Sequence, residues 1–553
     1  MKKNTVIWIL KQVRGHIPAM FLLILTNAAH ALFGVWFALG TRGVIDSAVA
    51  GQMSLFTQAC MKQLGIIAGI LLTMTLSRHL QDRLHADLER HWKKRLLHGL
   101  LNGEYAAVSG YHSAELLNRL NNDVERVNSG ILSILPNAVA MVTQLIAAVV
   151  VLGSLDGRFT LLIVLVGVAV FLATALMRRR LKNLNKTVSE YDGKVSGLLQ
   201  ETMEKLLMVQ AMDVSEEVER RADQLMGRRY EIQRKRKNVS LLTNAGIYVM
   251  YYGAGFLALA WGAFRILQGK MSFGSLTAMI QLVNQLQSPF MGLSGVLPQY
   301  IAMIASAERL MELEAIQGEP APMGESPEVL YDKMEALAAE ALTFSFDRDQ
   351  LLENAAFALP KGTFAVITGP SGIGKSTLLK LLLGIFAPEE GRLVLHCGEE
   401  KLQLDRSTRK LFAYVPQGNL LLSGTLRENL TIVKPEATRE ELEQAIYVSA
   451  MDEFLPGLPQ GLDTNLGESG AGLSEGQAQR LAIARAVLGG APILLLDECT
   501  SALDEATEEK VLQRLKALPD RTCIAVTHRP AAVNLCDWKL EVSEGKIHAI
   551  EIK

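Results

Sequence analysis

The sequence predicts a multi-domain chain, in which an all-α domain of six transmembrane helices is followed by an α/β domain built around a phosphate-binding loop. Six apolar stretches occupy the first part of the chain, and each is long enough to cross a hydrocarbon core about 30 Å thick. A Pro- and Glu-rich break follows, and beyond it residues 369–377 fit the pattern of a phosphate-binding loop. We therefore assign residues 1–315 to the transmembrane domain, 316–335 to a linker and 336–553 to a nucleotide-binding domain.

Composition narrows the classes of function. The chain has 553 residues, of which 49% are hydrophobic, and its net charge is −1. A near-neutral chain offers no electrostatic basis for nucleic-acid binding, so we expect no nucleic-acid partner. The 5 cysteines are scattered and lack C-x-x-C spacing, so buried structural thiols are expected rather than a disulfide framework or a zinc site.

The first predicted element is an N-terminal helix. Residues 4–14 alternate apolar and basic positions at helical spacing, which predicts an amphipathic helix lying at a membrane surface. An ordinary surface helix is the alternative. The transmembrane domain is thus expected to begin with a helix that lies along the membrane.

The six apolar stretches are unevenly spaced. Short connectors join the first to the second, the third to the fourth and the fifth to the sixth, whereas more than 50 residues separate the second from the third and the fourth from the fifth. The long connectors are rich in Arg and Lys, and such residues mark the cytoplasmic side. We predict a multi-pass protein of the cell (inner or cytoplasmic) membrane with both termini and the nucleotide-binding domain in the cytoplasm. The predicted spans are 17–39, 56–76, 131–152, 159–177, 241–266 and 273–304.

The two long connectors are predicted to be cytoplasmic extensions of the membrane helices. They contain few Pro or Gly breaks and many charge pairs at i,i+4 spacing. Each must turn back, and candidate turns lie near residues 104–113 and 206–215. These hairpin tips are where a membrane domain would touch a cytoplasmic domain.

Polar residues within the spans mark candidate substrate contacts. In the sixth span, Gln281, Asn284, Gln285 and Ser288 fall on one helix face, where they line a polar cavity or bond neighbouring helices together. The fifth span carries four more on a similar face, as interfacial anchors or substrate contacts: Asn244, Tyr248, Tyr251 and Tyr252. No acidic residue lies mid-span, so a proton relay is not indicated.

The glycine-rich loop supplies the strongest chemical signal. Residues 364–368 are predicted as a buried strand before it and 377–383 as a helix after it, so the helix N-terminus adds its dipole to an anion site. Lys375 can reach the β and γ phosphates of a nucleotide, and the Ser376 hydroxyl can ligate Mg²⁺. The loop consists of Gly369, Pro370, Ser371, Gly372, Ile373, Gly374, Lys375, Ser376 and Thr377.

Further elements follow the loop in a fixed order and predict a hydrolase. Asp497 and Glu498 end an apolar strand, where Asp497 can hold Mg²⁺ through water and Glu498 can deprotonate the attacking water. His528 ends another strand and can bond the γ-phosphate, while Gln417 can sense that phosphate or ligate Mg²⁺. The predicted cofactors are therefore ATP and Mg²⁺.

In this order, these motifs resemble those of the ATP-binding cassette (ABC) transporters of the exporter type, and the resemblance covers essentially the whole chain. Residues 473–477 are similar to the family signature, usually Leu-Ser-Gly-Gly-Gln. The resemblance implies two P-loop ATPase (ABC) domains that hold two ATP molecules head to tail, each between the loop of one subunit and the signature of the other. It implies nucleotide contacts for Phe346, which stacks on adenine, and for Ser474, Glu475, Gly476, Gln477 and Asp504.

Three features depart from the family pattern. Glu475 replaces the central signature glycine, and an acid near phosphate is unfavourable unless it points away. Residues 464–470 resemble the exporter segment that contacts the cytoplasmic helix tips, but its usual Glu and Arg are Asn465 and Ser469 here, which puts a charged coupling contact in doubt. Phe346 stands where a tyrosine is usual, so the stacking face is kept and the hydroxyl is lost.

Together these expectations describe half of a two-fold transporter that exports an amphipathic substrate by alternating access, driven by ATP hydrolysis. Its expected partners are a second half-transporter, in a homodimer or a heterodimer, membrane lipid, and a small-molecule, lipid or peptide substrate whose identity stays open. One alternative is an importer of a chelated metal or cofactor on the same scaffold. Another is a soluble ABC ATPase acting on DNA or ribosomes, against which the six spans argue.

Overall fold

The computed structural model of the chain describes residues 2–316, 318, 325–346, 349–418, 421–467 and 472–552. Among these it describes every side chain except those of residues 2, 3, 170–179, 247, 288, 290, 291, 293, 294, 297 and 349. The chain divides into two compact units. The first contains residues 1–98 and 113–315, and the second contains 99–112 and 316–553.

The first unit is helical throughout its described length, which confirms the predicted all-α class. Six of its helices are 32 to 53 residues long, and the others are short. Residues 99–102 at the end of α3, and all of α4, belong to the second unit. In chain order the helices are α1 (Lys2–Val13), α2 (Ile17–Val49), α3 (Met53–Asn102), α4 (Tyr105–Ser109), α5 (Ser113–Asn118), α6 (Val124–Leu155), α7 (Gly157–Glu204), α8 (Leu206–Ala211), α9 (Ser215–Leu267) and α10 (Phe273–Glu314).

Long helices of this unit expose apolar surface that a water-soluble bundle would bury. Among the described residues, four helical stretches are long and apolar enough to cross a membrane: Asn4–Val49, Met53–Asn102, Ser113–Leu155 and Ser215–Leu267. In α3, Leu71 and Leu72 expose 58% and 68% of their surface. Such continuous apolar surface fits contact with lipid. The fourth and sixth predicted spans lie on α7 and α10 and include residues whose side chains are outside the description.

The N-terminal helix α1 packs against the helical bundle along one side. Ile9 and Val13 are buried, whereas Ile7 and Leu10 are more than half exposed. The ring of Trp8 lies 4.9 Å from that of Trp92 on α3. The amphipathic pattern therefore gives one face to the bundle and leaves a second apolar strip free to lie along a membrane.

The polar face of the sixth span acts partly as a link between helices. The side-chain amide of Gln285 donates to the backbone carbonyl of Gly34 on α2 at 2.8 Å, whereas Asn284 is exposed. The Ser288 side chain lies outside the description. On α9, Tyr248 and Tyr252 expose 61% and 70% of their surface. Gln285 therefore acts as a link between helices, whereas the exposed Asn284 stays a candidate substrate contact.

A buried charge cluster fastens α6 to α10 outside the predicted spans. Residues Arg119–Asp123 form one π-helical turn that places Asp123 in the interior, where it is 0% exposed. Asp123 accepts from Arg309 Nε at 2.7 Å and from Ser306 Oγ at 2.8 Å. Burial alone would raise the pKa of Asp123, but the bonds from Arg309 and Ser306 outweigh it and the pKa is lowered.

We expect Asp123→Ala to destabilise the helical unit by about 2–3 kcal/mol, because Arg309 would keep its charge and lose its partner. Since the folded pKa of Asp123 is depressed, its contribution is present above the ordinary carboxylate pKa and is lost as the pH falls through the folded value. A lower thermal unfolding midpoint in detergent at neutral pH would be the readout. Asp87→Ala, at an exposed acid of α3, is the control and should leave the midpoint unchanged. Equal midpoints for both variants would contradict the prediction.

The second unit contains two larger sheets and a two-stranded ribbon. A four-stranded antiparallel sheet has the order β2-β1-β4-β5, and a six-stranded sheet has the order β12-β11-β3-β10-β9-β6, in which only β12 is antiparallel. The strands are β1 (Ala336–Phe346), β2 (Asp349–Pro360), β3 (Phe364–Thr368), β4 (Glu390–Cys397), β5 (Glu400–Gln403), β6 (Phe412–Val415), β7 (Gly424–Thr425), β8 (Asn465–Leu466), β9 (Ile493–Asp497), β10 (Thr522–Val526), β11 (Trp538–Ser543) and β12 (Lys546–Glu551).

Helices cover the six-stranded sheet, whose central strands β9 and β10 are buried at every residue. This arrangement confirms the predicted α/β class. All five cysteines are free, and Cys499, Cys523 and Cys536 are buried as expected, whereas Cys60 and Cys397 are half-buried. The helices are α11 (Pro327–Lys333), α12 (Lys375–Leu382), α13 (Leu426–Thr431), α14 (Arg439–Val448), α15 (Glu475–Leu488), α16 (Glu505–Lys516) and α17 (Pro530–Leu535).

Two segments extend the α/β unit beyond residues 336–553. Helix α11 lies in the predicted linker, but Leu330 and Tyr331 are buried in the core of this unit, and the Tyr331 hydroxyl lies 3.0 Å from Thr522 Oγ1. The hairpin tip at 99–112 also belongs to this unit, because Arg406 donates from its guanidinium to the carbonyl and the side-chain oxygen of Asn102, each at 2.9 Å. Linker residues 317 and 319–324 lie outside the described residues.

Candidate functional site

The predicted phosphate loop, metal residues and catalytic residues converge at one edge of the six-stranded sheet. Four neighbouring parallel strands, β3, β10, β9 and β6, carry the phosphate loop, His528, the Asp497–Glu498 pair and Gln417 at or just beyond their carboxyl ends. Ligands of open α/β sheets bind at this edge, because the strand ends and the helix N-termini meet there. The sheet therefore assembles groups that lie far apart in the sequence.

The phosphate loop requires glycine at two positions for identifiable reasons. Gly369 has a φ of 147°, and a Cβ atom there would lie 2.5 Å from the carbonyl oxygen of Val542. Gly374 has a φ of 102° and directly precedes α12, whose N-terminus faces the loop. Left-handed backbone at these two points turns the chain tightly between β3 and α12, as a phosphate cradle requires.

Lys375 is held inside this loop. It is 6% exposed, and its ammonium group donates to the carbonyl oxygens of Gly369 and Pro370, each at 2.8 Å. Burial lowers the pKa of Lys375, and the nearby carboxylates of Glu498 and Asp497 partly offset that effect. A cation fixed beneath the loop is suited to an anion bound above it.

Asp497 is the best-fixed carboxylate of the site. It is 1% exposed, and its two oxygens accept separately, one from Ser376 Oγ at 2.8 Å and the other from the Tyr414 hydroxyl at 3.1 Å. A carboxylate oxygen beside a serine hydroxyl is a donor pair of the kind that Mg²⁺ prefers, so the predicted metal residues fit that ion. The sequence analysis did not identify Tyr414 as a site residue, although its position three residues before Gln417 could have indicated that it lies at the site.

Glu498 lies next to Asp497 in an unusual backbone conformation. Its φ is 47°, and its N–H donates to the carbonyl of Val526 on β10 at 3.0 Å. The amide of Gln417 donates to Glu498 Oε2 at 2.7 Å. A carboxylate held on an amide, half-buried beside a phosphate loop, is placed to accept a proton from water.

His528 reaches the same edge from β10 by way of Thr527. Its ring is exposed, and no hydrogen bond to another described residue is present. The backbone of the next residue is fixed, because Arg529 N donates to Thr527 Oγ1 at 3.1 Å. The imidazole is thus free to bond an incoming group.

The signature residues begin helix α15. Ser474 is its N-cap, and it exchanges bonds with Gln477, whose backbone N–H donates to Ser474 Oγ at 3.3 Å and whose side chain accepts from Ser474 N at 2.9 Å. A Cβ atom on Gly476 would lie 2.9 Å from the carbonyl oxygen of Ala502, so glycine is required there. Glu475 is exposed in the first turn, where the helix dipole favours an acid.

Arg529, which the sequence analysis did not identify, holds the segment 501–504 in place. Arg529 donates to the carbonyls of Ser501 and Leu503, the latter at 3.0 Å, and to Glu508 at 3.1 Å. Asp504 accepts from Thr507 N at 3.0 Å as the N-cap of α16, and this bond lowers its pKa. Arg529 directly follows His528, and that position was the available signal.

Phe346 and Asn465, two further residues singled out from the sequence, belong to strands β1 and β8 and not to the four strands named above. Phe346 is 52% exposed, and its ring lies 6.0 Å from that of Phe386, so an aromatic face is open to a planar ligand. Asn465 is exposed on the β7–β8 ribbon. Ser469, the other coupling position, lies outside the described residues.

Comparison with known families assigns both parts of the chain. Residues 17–290 match the family described as the ABC transporter transmembrane region, and residues 352–501 match the family described as ABC transporter. Together the two matches occupy most of the chain, in the order membrane region and then ATP-binding region. They agree with the resemblance drawn from the motifs.

Individual relatives of the chain are also named as ABC transporters or as ATP-binding/permease proteins. An uncharacterized ABC transporter ATP-binding protein of Sinorhizobium fredii is 28% identical over 82% of this chain and 78% of its own. The mycobactin import ATP-binding/permease protein IrtB of Mycolicibacterium smegmatis is 34% identical over 51% of this chain and 48% of its own. A bacterial Atm1-family ABC exporter, solved with ATP bound, matches with a TM-score of 0.77 at 24% identity, over 98% of this chain and 95% of that one. The last likeness is one of fold.

Proposed function

Because this chain belongs to the ABC transporter family, as an exporter-type half-transporter with fused membrane and ATPase domains, we propose that it uses ATP hydrolysis to export an amphipathic substrate across the cytoplasmic membrane. One observation carries the proposal. Ser376, Asp497 and Glu498 meet at a phosphate loop in a chain whose other unit is a bundle of long apolar helices.

Each polar group of the site has a task in this proposal. Glu498 accepts a proton from the attacking water, and Gln417 orients its carboxylate. His528 donates a bond to the γ-phosphate. Ser376, Asp497 and Gln417 would hold Mg²⁺, which neutralises charge on the phosphate oxygens when bound.

The proposed working unit is a dimer of half-transporters. Ser474 and Gly476 begin α15, whose N-terminus suits the γ-phosphate of a nucleotide on the second subunit's loop. Glu475 lies on the same turn and would act on that nucleotide, so we infer that it weakens closure unless its side chain stays directed to solvent. The second subunit is another copy or a related half-transporter.

The second hairpin tip supports this assembly. Helix α8 exposes Leu206, Leu207 and Met208, with Leu207 at 81%, although it lies in a long connector outside the predicted spans. Apolar surface that is exposed on a cytoplasmic tip indicates a site of contact with another protein surface. We infer that the ATPase unit of the second subunit covers it, so that closure of the ATPase dimer moves the membrane helices.

The proposal is tested with the whole chain reconstituted in lipid vesicles. ATP hydrolysis is measured while amphiphiles are screened for stimulation, and a stimulating compound is then followed across vesicles whose ATPase units face outward. ATP-dependent accumulation inside such vesicles is export from the cytoplasmic side and is the expected result. ATP-dependent loss of the compound from preloaded vesicles would instead establish uptake.

Import on the same scaffold is a second candidate because of one specific relative. The protein from Mycolicibacterium smegmatis that matches about half of this chain is named for mycobactin import. If the vesicle experiment shows uptake, the similarity to this relative favours a chelated metal as the substrate. The same ATPase site would then drive transport in the opposite direction.

Tyr414 gives a prediction specific to this structure. Tyr414→Phe removes the hydroxyl that bonds Asp497, so the carboxylate loses one of its two donors and its orientation for Mg²⁺. We expect about a tenfold higher Mg²⁺ requirement for ATP hydrolysis. Tyr447→Phe, at an exposed tyrosine of α14, is the matched control. A Mg²⁺ titration with identical curves for the two variants would rule out the positioning role.

A further inference from the structure

A cavity of about 240 Å³ lies between α7 and α9, beside the predicted ends of the fourth and fifth membrane spans. It belongs entirely to the helical unit and is separate from the phosphate loop. Its lining is Leu181, Asn185, Gln233, Arg236, Lys237, Ser240 and Leu241.

The walls of this cavity carry uncompensated positive charge. Arg236 and Lys237 line it, and neither forms an ion pair with another residue in the described parts of the chain. Residues 178–189 of α7 and 232–241 of α9 contain no acid, so Glu190 and Glu231 are the first acids beyond them. Glu190 lies 3.9 Å from Lys186. An anion entering the cavity would therefore meet two available cations.

The polarity of the lining changes with depth. Leu181 and Leu241 lie within four residues of the predicted span ends at 177 and 241, which is about 6 Å along a helix, whereas Asn185 and Gln233 lie about 12 Å away. The headgroup layer of a bilayer is about 5–8 Å thick on each side. Leu241 thus lies at the predicted edge of the hydrocarbon, Arg236 and Lys237 lie about 6–8 Å from it at headgroup depth, and the amides of Asn185 and Gln233 lie on the cytoplasmic side of that layer.

We propose that this cavity binds the phosphate-bearing headgroup of an anionic lipid of the cytoplasmic leaflet. Arg236 offers two parallel N–H donors to the phosphate and Lys237 a third cationic donor, while Leu241 contacts the first acyl carbons. A basic belt alone would attract such lipids without a defined geometry, whereas here the lining of the cavity also supplies neutral donors from Asn185, Gln233 and Ser240. The inference rests on the proposed membrane insertion but not on transport or its direction.

The test uses the full chain in a neutral detergent, with the thermal unfolding midpoint as the readout. The probes are a short-chain phosphatidylglycerol, phosphatidylcholine of the same chain length, and inorganic phosphate. The double variant Arg236→Gln with Lys237→Gln removes the cavity cations. The matched control is Arg234→Gln with Lys235→Gln, which removes equal charge from the same helix outside the cavity lining. Ser240→Phe fills the cavity and keeps every cation, and it serves if the first double variant does not fold.

We expect phosphatidylglycerol alone to raise the midpoint of the native chain and of the control. The cavity variant should need about tenfold more of this lipid for the same shift, because a charged donor pair is lost, and Ser240→Phe should lose the shift. Equal weakening in both double variants would overturn the cavity in favour of diffuse attraction. An equal shift with inorganic phosphate would overturn the lipid as the source of the anion, and an equal shift with phosphatidylcholine would overturn headgroup recognition. Full stabilisation of Ser240→Phe would overturn the cavity as the site.

Discussion

Glu498→Gln is expected to lower the rate of ATP hydrolysis by about 10²–10⁴-fold, the range for the loss of a general base, while ATP binding is retained. The substitution keeps the shape of the side chain, and its amide oxygen can still accept the bond from Gln417. It removes only the ability to take a proton from water. Phosphate release by the whole chain in lipid measures the rate, and a fluorescent ATP analogue measures binding.

Glu505→Gln is the matched control, because Glu505 is an exposed acid seven residues further along that lies outside the site. Its rate should equal that of the native chain. Comparable rates for Glu498→Gln and the native chain would reject Glu498 as the base. If the native chain folds and binds ATP but hydrolyses none, the homodimer is rejected and a second, different half-transporter is required.

Lys375→Ala is expected to weaken ATP binding by about 10²-fold or more and to abolish hydrolysis with it. The ammonium group is the buried cation beneath the loop, and two charge-assisted bonds to phosphate are lost when it is removed. The carbonyls of Gly369 and Pro370 also lose their donor, so the loop itself loosens. Binding of the fluorescent ATP analogue at rising concentration gives the change in affinity.

Lys380→Ala is the control for this variant, since it removes a lysine from the last turn of the same helix. It should bind ATP as the native chain does. Equal affinity in the Lys375 and Lys380 variants would show that the loop backbone and helix N-terminus hold the nucleotide without Lys375. That outcome would remove the lysine from the proposed site.

Local pattern was sufficient for the order of elements and for the residues of the phosphate loop. Inside a bilayer the backbone must satisfy its own hydrogen bonds, and a helix does so within one segment, so apolar runs of membrane-spanning length predict long helices. Likewise, the loop from Gly369 to Gly374 contains residues with left-handed backbone, and the glycines at these positions make that conformation predictable from the sequence. His528 was predicted from its place at the end of an apolar strand, and Gln417 from its place in the order of motifs after the phosphate loop.

Residues that act through distant partners were not visible in local pattern. Tyr414 bonds a carboxylate 83 positions away, and its own neighbourhood reads only as a strand end. Arg529 braces 501–504 across a stretch of more than 20 residues. Helix α11 follows a run of Pro and Glu residues, which is why it was placed in a linker, yet two of its side chains belong to the core.

The sequence by itself determined a helical membrane domain followed by an α/β ABC domain, and it predicted the phosphate-binding residues, because each of these depends on the order of residues within a short segment. Only the tertiary structure showed that the tip at 99–112 belongs with the α/β unit and that the Tyr414 hydroxyl bonds Asp497. It alone also placed Arg236 and Lys237 in the lining of one cavity between α7 and α9. These outcomes depend on which surfaces meet when helices and strands from distant parts of the chain pack together. The hydrophobic periodicity of a segment predicts its secondary structure but not the segment against which it packs.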